Sequence, residues 1–324
     1  MSVETTPAPE HRAIYLTGPT ASGKSAVAVE LARLLDAEIL ALDSMTLYRG
    51  MDVGTAKPTE EERGGVPHHL IDVLDPWESA SVAQYREWAV AAIRDVESRG
   101  RLALFVGGTA LYLKAMLRGL FDGPGADPAV RGRLEAEAES LGDAALHARL
   151  AAFDPATAAR LHPNDRRRVV RALEVIELTG TPFSSLQKQH ERPAAGVRVF
   201  ALELPRPVLH DRINRRVSAM FEAGLVEEVR RLQSAERPLS GVAAQGVGYS
   251  ETIAHLGPGG PDLDRTIELI RARTRQFAKR QGTWFRGLSE VVPLAVEPGE
   301  PAGAVARRLA DRIEAVADDP NPPD

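Results

Sequence analysis

The fold is indicated first by two adjoining segments, Ala13-Ile-Tyr-Leu-Thr17 and Gly18-Pro-Thr-Ala-Ser-Gly-Lys-Ser25. The first segment is a short apolar run of the kind found in buried strands, and apolar residues recur at helical spacing from Ser25 to Leu35. The second segment matches the pattern G-x-x-x-x-G-K-S/T of a phosphate-binding loop, in the strand-loop-helix setting that this pattern requires. Because the backbone N–H groups of such a loop point at an anion, the sequence predicts a site for a phosphate or diphosphate.

The whole loop is a candidate anion site, and we expect diphosphate to be bound by Gly18, Pro19, Thr20, Ala21, Ser22, Gly23, Lys24 and Ser25. In this motif the lysine reaches the terminal phosphate, and the hydroxyl group after it binds Mg²⁺. We therefore expect Lys24 to contact the substrate. Ser25 is the expected metal ligand, and Mg²⁺ is the expected cofactor.

Further apolar runs alternate with helical patterns along the chain. Residues 38–42, 102–106 and 197–204 read as strands, and a last strand is expected near Val291. Helical spacing is seen over 82–98, 208–221, 225–232 and 267–285. Strands that alternate with helices favour an α/β fold, with a parallel sheet flanked by helices as in phosphate-loop NTPases.

A long stretch without a strand pattern interrupts this alternation. Asp127-Pro128, Asp154-Pro155 and Pro163-Asn-Asp165 each have the signature of a helix start, an N-cap residue with Pro or Asp in or next to the first turn. The sequence thus predicts an all-helical insertion domain over 124–194. The core would then consist of 1–123 and 195–324, with a disordered tail at 318–324.

Composition excludes several classes of protein. The 324 residues are 44% hydrophobic and 26% charged, as in ordinary globular proteins, and no apolar run is long enough for a membrane helix. The first ten residues lack the pattern of a secretory signal. The absence of cysteine excludes disulfides and thiol catalysis, and the net charge of −5 argues against binding nucleic acid through overall charge. We expect a cytoplasmic protein with no membrane partner.

The carboxyl ends of two predicted strands carry polar side chains. In a motor-type ATPase, an acidic residue follows the strand that supplies the second Mg²⁺ ligand, but here 102–106 is followed by Gly107-Gly108-Thr109. The glycine pair lets some group approach the backbone closely. Asp43-Ser44 follows the other strand, and both ends should open onto the same crevice. Asp43 can accept a proton or bind Mg²⁺ through water, with a simple turn cap as the alternative.

Two basic segments and one histidine pair need separate interpretation. Four arginines lie within Asp165–Arg171, at the start of a predicted helix, where they oppose the helix dipole. Residues 271–286 combine basic and aromatic side chains, a combination that binds unpaired nucleotides by stacking and phosphate contact, although the aromatic residues could equally belong to the hydrophobic core. Arg212 and Arg216 are four residues apart and could clamp an anion or be solvated.

His68-His69 is expected to line a loop or pocket, since no third metal ligand is suitably spaced.

Taken in order, several motifs resemble those of the bacterial tRNA dimethylallyltransferases. The resemblance runs from about Ile14 to Arg286. It is carried by the phosphate loop, Asp43-Ser-Met-Thr-Leu-Tyr-Arg-Gly-Met-Asp-Val-Gly-Thr-Ala-Lys-Pro58, Pro67-His-His-Leu-Ile-Asp72, Gly107-Gly-Thr-Ala-Leu-Tyr112, His162-Pro-Asn-Asp165 with Arg171-Ala-Leu-Glu-Val175, Gly248-Tyr249 with Glu251, Thr274-Arg-Gln-Phe-Ala-Lys-Arg-Gln281 and Trp284-Phe-Arg286.

The resemblance implies transfer of a dimethylallyl group from its diphosphate to N6 of adenosine 37, beside the anticodon of tRNA, with release of diphosphate. It implies that Asp43 is the general base, that Thr109 positions the amine and that Arg216 stabilises the leaving group. The implied contacts with the anticodon stem-loop are Asp43, Ser44, Met45, Thr46, Thr109, Arg131, Arg167, Arg168 and Arg171, and we add Arg280 and Trp284 as candidates. The expected state is a monomer.

Two other functions use part of the same pattern. A phosphate-loop kinase of a small metabolite or nucleoside would use the loop for ATP and Asp43 to activate a hydroxyl group. A non-catalytic RNA-binding protein would carry the loop as a vestige, but Lys24, Ser25 and Asp43 are all in place.

Overall fold

A computed structural model describes residues 13–120, 123–187 and 198–317. These residues fall into two compact units, one built from 13–117 and 198–317 and the other from 118–120 and 123–187. The tail at 318–324, for which the sequence predicts disorder, and the first ten residues lie outside the described ranges.

The first unit is organised around a six-stranded sheet in which every neighbouring pair is parallel. The strand order is β3-β2-β4-β1-β5-β6. The strands are β1 (Ile14–Thr17), β2 (Ala37–Ala41), β3 (His68–His69), β4 (Leu102–Val106), β5 (Arg198–Glu203) and β6 (Val291–Ala295). The predicted α/β fold with a parallel sheet is confirmed.

Strand β1 lies at the centre of the sheet and is buried along its whole length. It pairs with β4 from Ile14↔Leu104 and with β5 from Ile14↔Arg198. Successive side chains of a strand point to opposite faces, so both faces of a covered sheet must be apolar. Tyr15 packs in the core on one face, and Ile14 and Leu16 pack in the core on the other.

Helices cover both faces of this sheet. α1 and α15 pack against each other over one face, and most of the remaining helices pack over the other. The helices of this unit are α1 (Lys24–Leu35), α2 (Glu60–Arg63), α3 (Val82–Ser98), α4 (Ala110–Arg118, which ends at the unit boundary), α10 (Arg206–Glu222), α11 (Leu225–Gln233), α12 (Gly241–Ala244), α13 (Tyr249–Leu256), α14 (Leu263–Arg286) and α15 (Ala302–Ala317). α15 was not among the predicted helices, although its apolar residues recur at helical spacing.

The second unit is helical throughout its described residues and has its own core, formed by residues such as Leu134, Leu150 and Leu173. Its helices are α5 (Pro128–Leu141), α6 (Asp143–Phe153), α7 (Pro155–Ala158), α8 (Arg166–Thr179) and α9 (Phe183–Gln187). The predicted helix starts are present: the carboxylates of Asp127 and Asp154 accept hydrogen bonds from backbone N–H groups of the first turns of α5 and α7.

The histidine pair forms a strand that the sequence did not predict. His68 and His69 make up β3 at the edge of the sheet, where they pair with Ile39 and Leu40. His69 contacts Glu38 through its Nε2, and Arg99 donates two hydrogen bonds to the same carboxylate. Among the described residues no group of three His, Asp or Glu side chains could hold a metal ion.

No helix in the described parts of the chain is both long enough and apolar enough to cross a bilayer.

Candidate active site

The phosphate loop connects the carboxyl end of β1 to the first turn of α1. Gly18 has φ +135°, and a Cβ atom there would lie 2.8 Å from the Leu202 carbonyl oxygen of the neighbouring strand β5. Gly23, with φ +92°, is the N-cap residue of α1. Glycine is required at both positions because L side chains avoid these conformations. The loop therefore packs closely on the strand ends and presents the start of α1.

Lys24 folds back across this loop. Its Nζ donates hydrogen bonds to the carbonyl oxygens of Gly18 at 2.9 Å and Pro19 at 2.8 Å. The pKa of Lys24 is lowered to about 7, chiefly by burial and also by the positive charge of Arg216, while the carboxylate of Asp43 opposes the shift. An anion bound in the loop would restore the charged form of this lysine.

The hydroxyl groups of the loop lie in different surroundings. Ser25 is exposed in the first turn of α1, and its hydroxyl group has no hydrogen-bond partner within the described ranges. The Ser22 hydroxyl is buried and likewise unpartnered among the described residues. The backbone N–H of Thr20 donates to Oε1 of Gln281, which comes from α14. Ser25 is thus an exposed hydroxyl group of the loop that is open to a ligand.

Asp43 lies in a turn directly after β2. Its Oδ1 accepts a hydrogen bond of 2.8 Å from the N–H of Met45, and the Thr46 hydroxyl is 3.4 Å from its carbonyl oxygen. Asp43, Ser44 and Met45 are half-buried, and Thr46 is buried. The turn holds the Asp43 side chain by one oxygen only in the described structure, which leaves the other for a proton.

Thr109 lies beside this turn. Its Oγ1 accepts a hydrogen bond of 3.0 Å from the N–H of Ser44, and its own N–H donates to the Leu42 carbonyl at 3.1 Å. A Cβ atom on Gly107 would overlap the Leu42 backbone, and one on Gly108 would overlap the Gln281 amide. The groups that approach this glycine pair therefore include the chain's own backbone and the side chain of Gln281.

Two arginines of α10 reach toward the phosphate loop and the loop after Gly50. Arg212 donates to the Ser22 carbonyl at 3.4 Å, and Arg216 donates to the Thr55 carbonyl at 3.1 Å. Burial lowers the pKa of Arg216, and the negative charge of Asp43 opposes this shift. The structure thus brings Lys24, Asp43 and Arg216 within electrostatic reach of one another.

The loop at 51–57 is held by side chains that the sequence did not single out. Glu228, from α11, accepts hydrogen bonds from the N–H groups of Asp52, Val53 and Gly54 and from the Tyr249 hydroxyl. The Lys57 ammonium donates to Asp52, to Asp72 and to the Tyr48 carbonyl. A glutamate with apolar neighbours at helical spacing gives no signal of such a role, because its partners are backbone groups far away in the sequence.

The arginines predicted to contact tRNA in the helical unit fall into two groups. Arg131 and Arg171 both form ion pairs with Glu174, whose side chain is fully buried and which also accepts a hydrogen bond from the N–H of Asp127. Arg168 pairs with Asp165 and is exposed, and Arg167 is exposed as well. Arg131 and Arg171 therefore have a structural role that was not predicted.

The mixed basic and aromatic stripe predicted on α14 is largely exposed. Arg280 lies over the ring of Phe277, 5.9 Å from its centroid, and 39% of Trp284 is exposed. Arg273 pairs with the buried carboxylate of Glu251. Phe285, in contrast, is part of the core. The exposed aromatic faces remain available to stack on a flat ligand.

Four kinds of group therefore meet where β1, β2 and β4 end: an anion-binding loop with its lysine, a carboxylate, a hydroxyl group and an arginine. Ligands of open parallel sheets bind at this edge. Fold and site together define an α/β protein with a phosphate-loop sequence at the ligand-binding edge of its parallel sheet.

Comparisons with known proteins agree with this class. The model of the family described as IPP transferase matches residues 46–288. The tRNA dimethylallyltransferase of Geobacter metallireducens is 50% identical over 283 residues, which cover 87% of this chain and 91% of that protein. The chain belongs to the tRNA dimethylallyltransferase family.

Solved structures extend the likeness to the whole fold. The full-length tRNA isopentenylpyrophosphate transferase of Bacillus halodurans is 40% identical, with a TM-score of 0.68 over 95% of this chain and 98% of that one. A eukaryotic dimethylallyltransferase acting on tRNA is 26% identical, with a TM-score of 0.80 over 96% of this chain and 81% of that one. These relatives do not favour the kinase hypothesis.

Proposed function

We propose that this enzyme transfers the dimethylallyl group of dimethylallyl diphosphate to N6 of adenosine 37 in tRNA and releases diphosphate. The observation that carries the proposal is the convergence of Lys24, Asp43, Thr109 and Arg216 at one sheet edge, in a chain of this family. In the reaction, N6 forms a bond to C1 of the prenyl group while the C1–O bond breaks, and N6 loses one proton.

The phosphate loop, Lys24 and Arg216 are proposed to stabilise the leaving diphosphate. Negative charge grows on the diphosphate as the C–O bond breaks, and fixed donors aimed at that charge lower the barrier. The loop N–H groups, the Lys24 ammonium and the Arg216 guanidinium would supply these donors. Both cations are desolvated by burial, as their lowered pKa values indicate, so binding an anion compensates a cost already present in the free protein.

Asp43 is the group best placed to take the proton from N6. One of its oxygens holds the turn through Met45, and the carboxylate is close enough to Lys24 and Arg216 to affect the pKa of each. Thr109 is fixed beside it by the bond from Ser44 and would position the amine. A base must lie within hydrogen-bond reach of the proton that it removes, so the proposal requires N6 to bind next to the Asp43 carboxylate and the Thr109 hydroxyl group.

The residues present fit the expected Mg²⁺. Ser25 offers an exposed hydroxyl group, and with no triad of acidic or histidine ligands among the described residues, the other ligands would be diphosphate oxygens and water. When bound, Mg²⁺ would neutralise charge on the diphosphate. The protein's own part is to present the Ser25 hydroxyl at the start of α1.

Recognition of the anticodon stem-loop would use groups on both units. The target adenine must leave its stack to reach Asp43, past the turn formed by Ser44, Met45 and Thr46. Phe277, Arg280 and Trp284 suit unpaired bases, since aromatic faces stack on any base and arginine contacts phosphate. On the helical unit the proposed tRNA contacts are Arg131, Arg167, Arg168 and Arg171. A monomeric state and a cytoplasmic location stay predictions.

The test is a reaction of purified protein with dimethylallyl diphosphate, Mg²⁺ and an unmodified tRNA that carries A36 and A37. Nucleosides from the digested tRNA are analysed by mass spectrometry, and a parallel reaction contains ATP in place of the prenyl donor. We expect N6-dimethylallyladenosine with the first donor only. ATP hydrolysis or a phosphorylated acceptor, without a prenylated nucleoside, would overturn the proposal in favour of a kinase.

Asp43→Asn is the informative variant in this assay. Asparagine keeps an oxygen to accept the hydrogen bond from Met45, so the turn is preserved, but it cannot take a proton. We expect at least a hundredfold loss of kcat, in line with the contribution of general-base catalysis. Asp211→Asn, which removes an exposed carboxylate on α10, is the matched control and should retain activity.

A further inference from the structure

We propose that Gln281 is a positioning residue that fixes the distance between the phosphate loop and the turn formed by Gly107, Gly108 and Thr109. This inference rests on the proposed function of that site. The Gln281 amide makes two hydrogen bonds in opposite directions: its Oε1 accepts from the N–H of Thr20 at 2.9 Å, and its Nε2 donates to the carbonyl of Gly108 at 2.8 Å. One side chain thus joins the loop that holds the diphosphate to the turn that holds the amine.

The location of Gln281 on its helix shows that this is not a surface contact. The buried stripe of α14 includes Ile270, Ala278 and Phe285, and Gln281 lies three residues after Ala278 and four before Phe285, on the same face. Only 5% of Gln281 is exposed. An apolar residue would suit this stripe, and a buried amide is tolerated only when its donor and acceptor are both satisfied.

The neighbouring backbone is shaped around this amide. A Cβ atom on Gly108 would overlap Gln281 Nε2, so the turn lies close against the end of the Gln281 side chain. Thr109 follows Gly108 directly and is bonded to Leu42 and Ser44. A shift of the Gly108 carbonyl would therefore move the hydroxyl group that is proposed to position N6.

The Thr20 bond acts on the other partner in the reaction. Thr20 lies in the phosphate loop, between the Gly18 and Pro19 carbonyls that Lys24 contacts and the N-terminus of α1. With its N–H bonded to Gln281, the loop is anchored to α14 at its midpoint. Because reacting groups must be held within a fraction of an ångström, loosening this anchor reduces the rate as well as the affinity.

Glutamate at this position provides a chemical switch for the test. A protonated glutamic acid can reproduce both bonds, since its C=O accepts from Thr20 and its O–H donates to Gly108. The ionised form has no donor and places a carboxylate oxygen against the Gly108 carbonyl. Gln281→Glu should therefore recover function as the pH falls, which a general packing role would not produce.

The experiment measures binding of inorganic diphosphate with Mg²⁺ by calorimetry, and kcat and KM for dimethylallyl diphosphate, between pH 5.5 and 8.5. The proteins are wild type, Gln281→Glu, Gln281→Met and the control Gln276→Met, which alters an exposed glutamine of the same helix. At pH 8 we expect at least tenfold weaker diphosphate binding and a lower kcat for both Gln281 variants. The ratio of Gln281→Glu to wild type should rise at low pH, and the ratio for Gln281→Met should stay constant.

Two results would overturn the inference: diphosphate binding within twofold of wild type in the Gln281 variants, or a Gln281→Glu ratio that does not change with pH. The Gln281→Glu comparison is made within one protein, so it remains decisive if Gln281→Met fails to fold. Diphosphate binding does not require prenyl transfer. A wild-type protein that binds diphosphate but prenylates no tRNA would thus contradict the proposed function and leave the role of Gln281 open to the same binding test.

Discussion

Replacing Glu228 with glutamine should destabilise the loop at 51–57 by a predictable amount. The Glu228 side chain is buried, and its carboxylate accepts four hydrogen bonds at 2.6 to 3.1 Å. In Glu228→Gln, the remaining carbonyl oxygen can keep the N–H groups of Asp52 and Val53, but the new NH₂ group faces the N–H of Gly54. The Tyr249 hydroxyl can rotate and accept from that NH₂ group.

The cost follows from these four bonds. Three bonds change from charged to neutral at about 1 kcal/mol each, the Tyr249 bond with its direction reversed, and one buried N–H loses its acceptor at about 1 to 2 kcal/mol. We therefore expect a loss of about 4 to 5 kcal/mol. Tyr249→Phe, which removes a single donor to the carboxylate, should cost about 2 kcal/mol. Glu227→Gln is the matched control on the same helix, since Glu227 is exposed and loosely paired, and should change stability by less than about 0.5 kcal/mol.

The assay is amide hydrogen exchange of the peptide that spans the loop, read by mass spectrometry, together with guanidinium unfolding. Exchange reports the local opening free energy, which matters because a chain with two compact units need not unfold in one step. We expect the N–H groups of Asp52, Val53 and Gly54 to exchange at least tenfold faster in Glu228→Gln. Unchanged exchange, with a loss of stability below about 1 kcal/mol, would refute the reasoning from hydrogen bonds.

Three further predictions concern protonation and packing. Because the pKa of Lys24 is lowered to about 7, diphosphate binding above pH 7 should be coupled to the uptake of a proton and should weaken as the pH rises. Calorimetry in buffers of different ionisation enthalpy measures this proton uptake, which should be absent from Lys24→Met. The hydrogen bonds from Arg99 and His69 outweigh the effect of burial and lower the pKa of Glu38 from 4.5 to about 2. The ionised carboxylate should therefore stabilise the protein by about 3 kcal/mol above pH 5, and by less than about half of that at pH 3. In urea unfolding, Glu38→Gln should lose this stability at pH 7, and a difference from wild type that does not narrow on acidification would contradict the assignment. Gly107→Ala should lower the free energy of unfolding by more than about 2 kcal/mol, because the new Cβ atom would overlap the rigid Leu42 backbone. Gly282→Ala in α14 should be neutral or stabilising. Equal shifts of the melting temperature in the two variants would disprove the packing argument.

The sequence predicts the elements whose own residues carry the signal. Strands β1, β2, β4 and β5 are mostly apolar because both faces of the sheet are covered. The starts of α5 and α7 are evident because Asp127 and Asp154 cap them locally. Strand β3 has two polar residues and no alternation, and it exists only because β2 offers an open edge.

The buried hydrogen bonds that hold the loops of the site in place could not be predicted from the sequence. Gln281 and Glu228 act through backbone groups more than 150 residues away in the chain, so no local pattern identifies their partners. Glu174 is a further example, because nothing in the sequence predicts that Arg131 and Arg171 pair with this buried carboxylate. The proposed roles of Asp43, Thr109 and Arg216 in the reaction remain predictions for the assays above.

The pairing of β1 with β5 has a consequence for how the chain folds. Ile14 and Arg198 are neighbours in the sheet but about 180 residues apart in sequence, and such long closures slow folding because the chain entropy is lost before the contact forms. The helical unit accounts for much of that separation and has a core of its own. During synthesis it leaves the ribosome before β5 does, so its early collapse would shorten the loop that the sheet has to close. The insertion would then serve the assembly of the catalytic sheet before it ever meets a substrate.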